Sequence, residues 1–122
     1  MKIRIKGNSV RFRLTQSEVL KLCTSNYIEE KVAFHNQDFI YAIEVKDMPN
    51  DLSIAYESNK MTLYFSEKES KTWYDSERIT YKDILKQPNQ VEIALLLEKD
   101  FVCLDHTEED QSDNYPNPNK TC

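Results

Sequence analysis

Five cationic side chains, Lys2, Arg4, Lys6, Arg11 and Arg13, stand within the first fourteen residues, with no acid among them. Ile3 and Ile5 alternate with the first three, and Val10, Phe12 and Leu14 alternate with the last two, on either side of Gly7-Asn8. Such alternation predicts two strands joined by a two-residue turn, in which a glycine at the first central position suits type II′. The turn fixes the register, so that Lys6 faces Ser9, Arg4 faces Arg11 and Lys2 faces Arg13. Like charges directly opposite one another destabilise a hairpin unless an anion or a carboxylate lies between them. Lys2, Arg4, Arg11 and Arg13 are therefore the candidate anion-binding residues, for a small anion or an acidic peptide. The competing structural account is that Glu29, Glu44 or Glu57 from neighbouring strands neutralises the cluster, or that water does.

The other reactive residues form weaker patterns. Cys103, Asp105 and His106 fall close together, with Cys122 further on, but a structural zinc site uses paired ligand knuckles and the chain has no Cys-x-x-Cys. No metal site is assigned. A cysteine nucleophile served by His35 or His106 has no local signature. The acidic groups Glu29-Glu30, Glu67 with Glu69, and Glu108 to Asp110 lie where capping or solvation accounts for them. Cys23 reads as a small core residue on the inner face of a helix. Gly7 is the chain's one glycine, which excludes phosphate-cradling loops and dinucleotide fingerprints. No catalytic residue and no cofactor follow, and a noncatalytic binding or accessory module is favoured over an enzyme.

The elements that must position the basic cluster follow from the same pattern. Thr15-Gln16-Ser17-Glu18 has the spacing of a capping box and opens a short helix with Val19, Leu22 and Cys23 on one face. Strands are predicted over 27–34 and 39–45. Leu52, Ile54 and Tyr56 then alternate up to Ser58-Asn59, Met61, Leu63 and Phe65 alternate after it, and Ser66 with Glu69 repeats the capping-box spacing. A shift of 51 residues carries Ile3, Val10, Phe12, Leu14 and Thr15 onto Ile54, Met61, Leu63, Phe65 and Ser66, and Ile28 onto Ile79. A shift of 52 carries Phe39, Tyr41, Ile43 and Val45 onto Val91, Ile93, Leu95 and Leu97. The basic residues are not repeated: Lys2, Arg4, Arg11 and Arg13 map onto Ser53, Ala55, Thr62 and Tyr64. The second helix, polar apart from Trp73 and Tyr74, is expected to be short and held by those two rings.

The expectation is an α+β domain of two ββαββ repeats, about 1–47 and 52–98, with an irregular tail over 101–122. Its eight strands would form an antiparallel sheet or an eight-stranded barrel, with two short helices on the apolar face. At 122 residues, 39% of them apolar, the chain is the size of one domain. The absence of a long apolar run argues against membrane insertion, and the polar start and three scattered cysteines suggest a cytoplasmic setting with reduced thiols. A net charge of −5 argues against nonspecific nucleic-acid binding. In the tail, Phe101 and Leu104 are the apolar residues that would bury it as a strap.

The stretch Met1-Lys2-Ile3-Arg4-Ile5-Lys6-Gly7-Asn8-Ser9-Val10-Arg11-Phe12-Arg13-Leu14-Thr15, with Glu98 to Leu104, Glu109-Asp110 and Pro116-Asn117-Pro118, resembles a family of small uncharacterised bacterial proteins. That resemblance implies a bacterial cytosolic setting and a tail belonging to the domain, and it supplies no functional residues. A looser likeness in fold is to the triphosphate tunnel enzymes, which would imply a metal-dependent phosphohydrolase. Their alternating Glu-x-Glu-x-Lys on the first strand is absent here, since Lys2, Arg4 and Lys6 alternate without the glutamates and leave no evident place for magnesium.

Overall fold

In a computed structural model of the chain, residues 1–101 and 112–116 are described. The first half runs β1 (Lys2–Lys6), β2 (Ser9–Leu14), α1 (Gln16–Ser25), β3 (Tyr27–Ala33) and β4 (Asp38–Lys46). The second runs β5 (Leu52–Glu57), β6 (Lys60–Ser66), α2 (Glu67–Trp73), β7 (Thr80–Lys86) and β8 (Glu92–Lys99).

Local chemistry sets the turns and caps. Gly7 takes φ 55 in the first hairpin, whereas Ser58 and Asn59 take φ 50 and 64 in the second, the double positive φ of a type I′ turn. At the start of α1 the Glu18 carboxylate accepts the Thr15 N–H at 2.9 Å, and α1 ends on Asn26 in the left-handed conformation. The capping box expected at Ser66 is not formed, because the Ser66 N–H is taken by the Asp51 carbonyl at 3.0 Å.

The strands do not make a purely antiparallel sheet or a closed barrel. They form two four-stranded mixed sheets, in the orders β1-β2-β8-β7 and β3-β4-β6-β5. Each sheet is two antiparallel hairpins joined by a central parallel pair, β2 with β8 and β4 with β6. Alternation predicts a strand but carries no information about the direction of a partner some 85 residues away. The described core is filled by side chains. Phe12, Leu14, Leu22, Ile43, Leu63, Phe65, Trp73 and Leu97 are fully buried there, and Phe65, Trp73 and Tyr81 stack edge to face with centroids 4.9–5.5 Å apart. At one seam, edge strands β5 and β7 run close without a ladder, and Asp83 Oδ2 accepts the Leu52 N–H at 3.2 Å. At the other, the α-amino group of Met1 lies 2.9 Å from Glu30 Oε2 and also touches Glu18.

The ladders also correct two spacings. Phe12 pairs with Leu97 as Leu63 pairs with Ile43, and Tyr81 pairs with Leu97 as Ile28 pairs with Ile43. The partner of Ile28 by position is thus Tyr81 rather than Ile79, and that of Ile43 is Leu97 rather than Leu95. α2 is three residues shorter than α1, but the six residues 74–79 follow it where Asn26 alone follows α1, a net gain of two. Trp73 anchors α2 as expected, donating its indole N–H to the Arg78 carbonyl at 2.8 Å, whereas Tyr74 is exposed.

Candidate functional site

The β1–β2 register is the expected one: Lys2 opposite Arg13, Arg4 opposite Arg11 and Lys6 opposite Ser9. All six side chains alternate with the core-side residues Ile3, Val10, Phe12 and Leu14 and so point to the outer face of the first sheet. None of Glu29, Glu44 and Glu57 compensates them, since these belong to β3, β4 and β5 of the other sheet. The acids come from β8 and the residue after it. Arg13 Nε donates to Glu98 Oε1 at 2.6 Å, and Lys2 Nζ lies 3.0 Å from the buried Asp100 carboxylate. Arg11 Nε is 3.8 Å from the same Glu98 oxygen, beyond hydrogen-bond reach. Among the described residues neither Arg4 nor Lys6 has an ion-pair partner. Four residues, Arg4, Lys6, Ser9 and Arg11, enclose a hollow of about 170 Å³.

Reading across the first sheet, the ladders align whole rows. Lys2, Arg13, Glu98 and Thr80 form one, Arg4, Arg11, Leu96 and Lys82 the next, and Lys6, Ser9, Ala94 and Ile84 a third. These twelve positions hold six cations and one acid. The corresponding rows of the second sheet are Ser53, Tyr64, Glu44 and Tyr27; Ala55, Thr62, Ala42 and Glu29; and Glu57, Lys60, Ile40 and Lys31. They hold two cations and three acids. One scaffold therefore carries a basic face and a nearly neutral one.

A family model described as a family of unknown function (DUF7009) matches residues 1–119. The chain belongs to that family. No curated protein and no solved structure matches it. The family assigns no activity, so the site must be read from its own geometry.

The basic residues lie on an outer surface and the interior is packed, so the tunnel arrangement of the triphosphate enzymes is not reproduced. Among the described residues no three potential metal ligands gather, and no helix is long and apolar enough to cross a membrane. Cys103, Leu104, His106 and Cys122 lie outside the described residues. His35 is exposed at the β3–β4 turn. Cys23 is half-buried against the core, and burial pushes its thiol up from the ordinary value.

A second cation stands apart from this face. Lys99 is 5% exposed, donates to the Ser76 carbonyl at 2.7 Å, and lies 5.1 Å and 5.8 Å from the ring centroids of Tyr115 and Trp73. Burial pulls its ammonium below the usual lysine value, with the neighbouring Cys23 opposing. Through these contacts it links Tyr115 to the core. The tail is anchored there: Phe101 bridges to Tyr115, the Tyr115 N–H bonds the Asp100 carbonyl at 2.8 Å, and Asp113 accepts from Ser17.

Sequence reasoning found the hairpin cations but missed Lys82, Leu96, Ile84 and Glu98. Their alternation was legible. Their place beside the hairpin was not, because it depends on the parallel β2–β8 pairing.

Proposed function

We propose that the chain is a noncatalytic binding module that holds an anionic group on the outer face of β1–β2. Of the four residues nominated from sequence, Lys2 and Arg13 are engaged by Asp100 and Glu98. Arg4 and Arg11, with Lys6, remain for a ligand. The observation that carries the reading is the Arg4–Arg11 pair, two cations directly opposite each other around a hollow closed by Lys6 and Ser9. Such a pair costs stability in the free protein, and a bound anion would return it through charge-assisted hydrogen bonds.

Five of the six cations of the basic face come from the first half, and Lys82 alone from the second. We infer that the chain arose by duplication of a ββαββ unit, which left the second unit free to lose or never acquire these charges. This inference is supported by exchanging each strand for the one four places away, which converts one sheet order into the other. Paired contacts support it too: the Ala94 N–H bonds Asn8 O as the Ile40 N–H bonds Asn59 O, and the Lys99 N–H bonds Ile79 O as the Val45 N–H bonds Asn26 O. A bacterial, cytoplasmic setting is proposed on the resemblance and the composition alone.

The test is titration of the protein with pyrophosphate at low ionic strength, followed by amide chemical shifts. Shifts should concentrate at Arg4, Lys6, Ser9 and Arg11, weaken with added salt, and vanish in Arg4→Ala combined with Arg11→Ala. Shifts spread over lysines of both sheets, or unchanged in the double variant, would remove the hairpin as the site.

A further inference from the structure

The hairpin hollow is one end of a longer feature. A trough of about 630 Å³ lined by Ser9, Arg11, Lys82, Ile84, Lys86 and Leu96, with other β7 and β8 residues, continues from it across the same face. Its volume lies within the range of ligand sites. Its chemistry is ordered along the rows: cations on β1 and β2, apolar Leu96 and Ala94 on β8 in the middle, and on edge strand β7 the cations Lys82 and Lys86 flanking Ile84. Ile84 is 49% exposed, an apolar side chain left open between two lysines of its own strand.

The spacing restricts what can fill this face. From β1 to β7 there are three strand spacings, about 14 Å in all at roughly 4.8 Å each. An extended peptide advances about 3.4 Å per residue and puts residues i, i+2 and i+4 on one side, with i and i+4 again about 14 Å apart. We infer that the first sheet's outer face docks an extended acidic segment of a partner protein, laid across the strands, with the pattern acid-x-apolar-x-acid. One acid meets Arg4 and Arg11, the apolar side chain rests on Leu96 and Ala94 with its far side against Ile84, and the other acid meets Lys82 and Lys86. This inference rests on the anion reading of the hairpin and extends it to a ligand class.

Charge complementarity selects the acidic partner, since the three rows carry six cations against Glu98 alone, and the next row adds Lys86 opposite Glu92. The same rows contain no aromatic ring. Single-stranded nucleic acid is held largely by base stacking on such rings, which places it second. The second sheet is an internal control: its middle row, Ala55, Thr62, Ala42 and Glu29, carries no cation.

The experiment is fluorescence anisotropy at low ionic strength with a labelled probe peptide, Ser-Glu-Thr-Leu-Thr-Glu-Ser. A second probe of the same composition has both glutamates adjacent, Ser-Glu-Glu-Thr-Leu-Thr-Ser. The spaced probe should bind more tightly than the adjacent one, and Ile84→Ser and the pair Lys82→Ala with Lys86→Ala should each weaken it about tenfold, or about 1.4 kcal/mol. These three side chains are exposed, and unchanged circular dichroism and melting will show that the variants fold. If both probes bind equally and only Arg4→Ala and Arg11→Ala matter, the hairpin anion site stands and the cross-sheet docking falls. If pyrophosphate binds at the hairpin and neither peptide does, the same conclusion follows. Tighter binding of a labelled oligothymidylate, displaced by neither peptide, would overturn the peptide in favour of nucleic acid. Binding of nothing, pyrophosphate included, would remove both readings.

Discussion

The Asp83 carboxylate accepts the backbone N–H of Leu52 at 3.2 Å and so ties the edge strand of one sheet to the edge strand of the other. Leu52 is 1% exposed, so without this acceptor its amide would be buried unpaired. Asp83→Ala should lower stability by about 1–3 kcal/mol, the cost of an unsatisfied buried donor. Asp83→Asn, which keeps an acceptor oxygen, should cost clearly less. Urea denaturation measures both, and an unshifted midpoint in Asp83→Ala would show that the seam is held by packing alone.

The two arginines facing each other, Arg4 and Arg11, differ from Arg13 in the sign of their contribution. Arg4→Ala removes a repulsion without breaking an ion pair among the described residues, and should stabilise the free protein by about 0.2–1 kcal/mol. Arg13→Ala breaks the 2.6 Å contact with Glu98 at a half-exposed position and should destabilise by about 0.5–1 kcal/mol. Both effects should shrink in high salt. Destabilisation by Arg4→Ala would mean that its aliphatic stem packs on the sheet more strongly than its charge repels.

Tyr115 should separate packing from polarity in the tail. Its ring meets Phe101 at 5.8 Å, while its hydroxyl is buried without a hydrogen-bond partner among the described residues, and burial pushes its ionisation up to about 12. Tyr115→Phe should be neutral or stabilising by up to about 1 kcal/mol, because it removes an unsatisfied group. Tyr115→Ala should cost about 2–4 kcal/mol, and truncation after Asp100 at least as much. Equal melting of wild type and truncated protein would show that the tail does not strap the domain.

Lys99 should leave a signature in the pH dependence of stability. Its folded value is lowered by burial, so between that value and the unfolded one, about 10.4, the unfolded chain binds more protons. Stability must therefore rise with pH across this window. Tyr81 and Tyr115, pushed up to about 12, act oppositely: their contribution is full below the unfolded value, about 10, and is lost as pH rises towards 12. Subtracting the stability profile of Lys99→Met from that of wild type isolates the lysine. The difference should slope upward with pH below 10 or so; a flat difference would mean that Lys99 keeps an ordinary value in the fold.

How much of this was legible in the sequence depends on distance along the chain. Both tight hairpins, their registers, the first capping box, the core side of β1, β2, β4, β5, β6 and β8 and the opposed Arg4 and Arg11 all follow from residues within a few positions of each other. A two-residue turn and a period of two suffice, because a slip of one residue would turn every apolar side chain outward. The second capping box failed locally for a tertiary reason, the Asp51 carbonyl reaching Ser66 first.

What only the tertiary structure decided is which hairpin lies beside which, and in what direction. The parallel pairing of β2 with β8 joins segments that alternation treats as independent, and from it come Glu98 as the partner of Arg13, the split into two sheets and the row Arg4-Arg11-Leu96-Lys82. The physical reason is that a strand's own pattern specifies which face is buried but not its neighbour. The neighbour is selected by the packing of the whole core, here Phe12, Leu97, Phe65, Trp73 and Tyr81 filling the space that a barrel would have left open.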